Sequence, residues 1–142
     1  MYLDRLPNRP KSNKICAAIV TEKQYAVSPT IDVYYVPEHI IRERGLGDWM
    51  KGCNSVGKPH DFHVRYFNNP SIWHHASPVE RASFPTVNLL DQGIVTVEKV
   101  DCLTYGMLYE KYNVGKLGIL KTDTEGQDAD LILDIKIGRA HV

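Results

Sequence analysis

From Ile15 to Thr21 the sequence ICAAIVT runs through small and β-branched residues without a charge. Such a run predicts a strand buried on both faces, as in a parallel sheet covered by helices. After Ser28 and Pro29, the β-branched and aromatic stretch from Ile31 to Val36, IDVYYV, predicts a second strand that Pro37 closes. The pattern then weakens from Glu38 to Pro85. Gly45, Gly47, Gly52 and Gly57 lie there among Pro59, Pro70 and Pro78, with Trp49, Phe62, Tyr66, Phe67 and Trp73 interspersed. This block reads as a long irregular insert. Its aromatic residues serve either to anchor the insert to the core or to line a substrate or nucleic-acid surface, and anchoring is the commoner use of rings among Gly and Pro.

Order returns at Ile94 to Val100, IVTVEKV, which predicts a strand. Leu103, Met107, Leu108 and Tyr112 then recur at helical spacing, so a helix of about ten residues is expected over Leu103 to Tyr112, with Asp101 or Thr104 as its cap. Leu117 to Thr122, LGILKT, predicts another strand. Asp128 to Ile135, DADLILDI, predicts a helix whose acidic start suits the positive end of the helix dipole, with Leu131, Ile132 and Ile135 on one apolar side. Strand, helix, strand, helix over the last third is the alternation of an α/β fold with a parallel sheet.

Composition narrows the functions that need weighing. Seventeen basic and seventeen acidic residues among 142 leave no formal net charge, so there is no global field to gather nucleic acid or an anionic membrane. No apolar run approaches the roughly 20 residues of a membrane span, and the N-terminus lacks the apolar centre of a secretory signal. An intracellular, cytoplasmic protein is expected. Cys16, Cys53 and Cys102 are an odd, widely spaced set without CxxC, which reads as reduced thiols. A zinc site on Cys53 with the HxxH pair His60 and His63 and the adjacent His74 and His75 is weighed against surface or loop histidines; the turn-like stretch favours the latter, and no metal is expected.

The sharpest local signal is LKTDTEG, from Leu120 to Gly126, at the carboxyl end of a predicted buried strand, where open α/β sheets bind their ligands. Period-two alternation puts Lys121 and Asp123 on one face, with Glu125 following if the chain stays extended. A lysine and a carboxylate in a partly desolvated place pair with each other. The alternative is that Asp123 or Thr124 merely caps the next helix. The chain contains no GxGxxG, P-loop or GxSxG, so the residues alone name no cofactor.

The block from Ile94 to Ile135 resembles the C-terminal half of the FkbM-type, S-adenosylmethionine-dependent methyltransferases. In that family a strand and helix of pattern V-x-v-x-x-x-t-L lead into a hallmark close to L-K-I-D-x-E-G. Leu120, Lys121, Asp123, Glu125, Gly126, Asp128 and Leu133 fall on this likeness, while Thr122 replaces the usual Ile and Gly118 stands where Asp is frequent. CAAIVT is similar to an earlier strand of the family.

The resemblance implies an incomplete Rossmann-like sheet of the class I methyltransferase kind, with helices on both faces and a long irregular insert. It implies a partial domain over residues 1–136 that lacks its first βαβ portion, together with the glycine-rich loop and acidic strand end that hold the cofactor. The cofactor-binding residues are therefore not assigned. IGRAHV, residues 137–142, reads as a non-native tail. The implied activity is methyl transfer from S-adenosylmethionine to a hydroxyl of a sugar, glycan or small metabolite. Asp123 is the first candidate for positioning or proton removal, Glu125 the second, and Lys121 keeps Asp123 ionised. The alternative from another class is a non-catalytic α/β binding module in which the insert engages a partner.

Overall fold

The computed structural model describes residues 15–113 and 128–134. The chain forms two compact units. One is split in sequence, Met1–Ile31 with Val100–Val142, and the other is the continuous segment Asp32–Lys99. Strand order through the sheet is β1 (Ala18–Ile19), β4 (Thr96–Leu103), β2 (Thr30–Tyr35), β3 (Ser55–Val56). β1 and β4 are parallel, whereas β2 and β3 are antiparallel. The fold is thus mixed α/β, and the purely parallel sheet expected from the sequence is corrected to a mixed one.

In the split unit, Ala18 pairs with Cys102 and Ile19 with Leu103. Val20, almost completely buried, extends the pairing by donating its N–H to Leu103 O at 3.0 Å. The predicted strand over Ile15 to Thr21 shrinks to two residues, both only half-buried. At its carboxyl end the limit is Thr21, whose side chain accepts from Gln24 N–H while the Gln24 side chain accepts from Thr21 N–H. This reciprocal capping box starts helix α1 (Glu22–Val27) at the next residue and ends the strand. On the other side of the sheet pair, Cys102 N–H reaches Pro29 O at 2.8 Å.

β4 begins two residues later than the pattern suggests. Gly93 adopts φ +67°, a left-handed conformation natural to glycine. The turn it makes sends Ile94 N–H back to Leu89 O, and Val95 is buried in the core beside Leu89 before the strand starts. At its far end β4 runs through Leu103, which therefore belongs to the strand and not to the following helix. Helix α6 (Tyr105–Lys111) is shorter than expected and is capped by Thr104, one of the two candidates. Helix α7 (Asp128–Asp134) forms where the sequence predicts it. Leu131 is its buried residue, while Ile132 is 42% exposed; Ile135 lies outside the described residues.

The Asp32–Lys99 unit is where expectation and structure differ most. In place of an irregular insert the chain makes α2 (Glu38–Glu43), a 3-10 helix (Asp48–Gly52), β3, α3 (Asp61–Val64), α4 (Pro70–His75) and α5 (Pro78–Ser83). None of these helices is long enough to stand by propensity alone, so packing must hold them. Val36, Ile41, Met50, Cys53, Phe62, Tyr66, Leu89 and Val95 form the core, with Trp49 and Trp73 packed against it. Trp49 stacks on Tyr66 at 5.8 Å between centroids and meets Phe62 edge-on at 4.8 Å; Phe67 stacks on Phe84 at 4.9 Å. The rings are thus spent on the interior, which is the anchoring use. Gly47 is fitted to this cluster, because a Cβ there would lie 2.2 Å from the Trp49 indole nitrogen. Tyr66 adds a polar tie: its hydroxyl accepts from Gly47 N–H and donates to Asn68 Oδ1.

Candidate functional site

Because β1 and β4 are parallel, their carboxyl ends lie side by side, and each runs straight into a helix: Thr21 into α1, Thr104 into α6. Thr104 is completely buried and accepts from Met107 N–H at 3.2 Å. Glu22 N–H donates to the Asp134 carboxylate of α7 at 2.8 Å. The Glu22 carboxylate sits 3.2 Å from where a Cβ on Gly106 would be, at the start of α6. Thr21 and Thr104 thus cap α1 and α6, and the Asp134 carboxylate ties α7 to the start of α1.

These caps also limit what the place can do. Three first-turn donors of α1 and α6 are engaged: Glu22 N–H by Asp134, Gln24 N–H by Thr21, and Met107 N–H by Thr104. Gly106 is isolated and approached by a carboxylate, which is the opposite of a glycine-rich cradle for a ribose or an anion.

Two neighbouring groups, Cys102 and Tyr105, are pushed toward their neutral forms. Burial, and after it the negative Asp101, pushes the Cys102 thiol up, so it is protonated and a poor nucleophile at neutral pH. Burial and then Tyr109 raise Tyr105 in the same way.

Lys121, Asp123 and Glu125, with Leu120, Thr122, Gly126 and the predicted LGILKT strand, lie outside the described residues. Asp128 opens α7, and Leu133 on that helix is 81% exposed. Sequence reasoning misses α1 and its cap, although Thr21-Glu22-Lys23-Gln24 carries the T-x-x-Q signature of a capping box.

The other candidate cluster, around His60 and His63, needs correcting. His63 is completely buried, not a surface or loop residue. The HxxH spacing makes a capping box for α3: His60 Nδ1 accepts from Phe62 N–H at 3.1 Å, and His63 Nδ1 accepts from His60 N–H at 3.2 Å. His74 and His75 are exposed at the end of α4. Among the described residues no group of three His, Cys, Asp or Glu is placed to hold a metal ion, and none of their helices is long and apolar enough to cross a membrane. In comparisons with known proteins, no family model, curated protein or solved structure matches this chain.

Proposed function

We propose that the chain is part of an S-adenosylmethionine-dependent methyltransferase resembling the FkbM type, acting on a hydroxyl of a sugar, glycan or small metabolite. One observation carries the reading: the described elements of the resembling block come in the order strand, helix, helix, with the predicted LGILKT strand outside the described residues. β4 is followed by the Thr104-capped helix α6, and α7 starts at Asp128, with LKTDTEG between the two helices. The parallel pairing of β1 with β4 adds support, since ligands of open α/β sheets bind beyond the carboxyl ends of parallel strands.

Methyl transfer asks little covalent chemistry of a protein. The acceptor hydroxyl must be held in line with the methyl group and relieved of its proton. In this reading Asp123 does the positioning or takes the proton, Glu125 assists, and Lys121 keeps Asp123 charged. In this reading the cofactor's contacts belong to a glycine-rich loop and an acidic strand end that the family carries ahead of this block.

The test uses the coding sequence upstream of this block. The longer protein should bind S-adenosylmethionine in calorimetry, and this 142-residue chain alone should not bind at micromolar concentrations. In the longer protein, Asp123→Asn should lower methyl transfer to a panel of hydroxyl acceptors by roughly 100-fold or more without moving the melting temperature. Asn caps a helix about as well as Asp, so near-normal transfer by that variant would reduce Asp123 to a cap. An upstream sequence with no glycine-rich loop after a strand would favour the non-catalytic binding module.

A further inference from the structure

His60-Asp61-Phe62-His63 has the spacing of a metal pair, yet both rings turn an Nδ1 lone pair toward a backbone N–H. A capping box is ordinarily built from Ser or Thr and Glu or Gln, which keep their acceptors at any moderate pH. Histidine does not. A neutral imidazole has one acceptor nitrogen, and an imidazolium has none.

We propose that the His60–His63 box is an acid-operated latch: protonation of His63 breaks the cap of α3 and unfastens the aromatic core of the Asp32–Lys99 unit.

Three features of the site carry this. First, His63 has 0% exposure, so a charge on it is buried outright. Second, the nitrogen that must take the proton, Nδ1, already faces the His60 N–H, and protonation sets two donors against each other. Third, what favours a cation on His63 is outweighed by burial and by His60. Nε2 is buried with no hydrogen-bond partner in range, and the Cys53 backbone carbonyl of the adjoining 3-10 segment is the acceptor that weakly favours the charged form. The charged group that acts on His63 is His60, whose ring lies 5.9 Å away and whose charge has the same sign. Asp61 on α3 is exposed, and Asp91, on the turn after Leu89 and Leu90, is exposed and held by the Asn88 amide. Neither contributes to the electrostatics of His63.

The consequence reaches the core through the backbone. His63 O accepts from Leu89 N–H at 2.9 Å and Leu90 N–H at 3.1 Å, and Leu89 is 1% exposed in the centre of the cluster. Displacing α3 therefore displaces Leu89 and, with Phe62, the ring contacts to Trp49 and Trp73.

Burial first, and His60 second, hold the His63 pKa at about 4 against an ordinary 6.5. The unfolded chain thus binds a proton that the folded one refuses between those values, and stability falls as pH drops through that window. For one such group the unfolding constant rises on the order of 70-fold between pH 7.5 and pH 4.5.

The experiment is urea unfolding of the full chain at both pH values, followed by fluorescence of Trp49 and Trp73, for the wild type and His63→Gln. Gln keeps an acceptor at the same box position and does not titrate. The wild-type constant should rise on the order of 70-fold more than that of the variant; equal rises would overturn the proposal. Should the variant fail to fold, NMR titration of the wild-type His63 ring decides. A ring that stays neutral until the tryptophan transition supports the latch, and one that titrates near 6.5 with the fold intact removes it.

Discussion

Thr21 and Gln24 close the first turn of α1 in the split unit, and His60 and His63 close that of α3 in the Asp32–Lys99 unit, with the same reciprocal pattern. The first box uses a hydroxyl and an amide, partly exposed. The second uses two imidazoles, one fully buried. Geometry alone makes the two equivalent, and chemistry separates them: one is indifferent to pH, and the other exists only while its rings are neutral. A third box, Ser77 with Glu80 on α5, sits between these extremes, with a titratable member that is exposed and stabilised by being charged.

The contrast can be broken most forcefully from the inside. Phe62→Ala removes the ring that contacts Trp49, Trp73, His60 and His74. It should cost about 3–5 kcal/mol, read as an early loss of tryptophan fluorescence in urea with the α1 box untouched. Gly47→Ala should cost about 1–3 kcal/mol, because the added methyl overlaps the Trp49 indole and that ring is held by Phe62 and Tyr66. The same melt measures it.

Thr104→Val tests the other unit. It leaves Met107 N–H without its buried acceptor and should cost about 1–2 kcal/mol. Helicity by circular dichroism and amide exchange of α6 should report the loss, while the slope of stability against pH between 4 and 6.5 stays as in the wild type.

The smallest effect belongs to Glu80. The Ser77 hydroxyl and backbone N–H hold its carboxyl below the ordinary 4.5. Its contribution is therefore present above that value and is lost as pH falls through the lowered one. Ser77→Ala should return the Glu80 midpoint toward 4.5, measured by NMR of its side-chain carboxyl.

Part of this architecture is legible in the sequence. β2 and its stop at Pro37, the cap at Thr104 and helix α7 follow from alternation, capping residues and an acidic start. Two other expectations fail for physical reasons. ICAAIVT reads as one long strand because hydrophobic content says nothing of where a cap intervenes, and Thr21 ends the strand early. The Glu38 to Pro85 block reads as irregular because helices of four to six residues span less than two turns, too short for a 3.6-residue period to show. Their boundaries are still written in Asn69-Pro70 and Ser77-Pro78, each a capping residue followed by proline at the first helical position. The histidine box has no such signature, since nothing in HxxH distinguishes a cap from a ligand pair. Of the candidate site, the flanking helices are legible, while Lys121, Asp123 and Glu125 rest on the motif.

The hydrogen bond from Glu22 N–H to Asp134, between residues 112 positions apart, has a meaning for the order of folding. Among the described residues β1 pairs with β4, so this pairing cannot close until the whole of Asp32–Lys99 has been made. Closing so long a stretch of loose chain carries an entropy cost and slows folding. If the middle segment condenses first on its aromatic core, the effective distance between β1 and β4 shortens. The histidine latch would then govern assembly as well as stability: acid that keeps α3 uncapped would leave β1 waiting for its partner, and refolding of the split unit would slow along with that of the other.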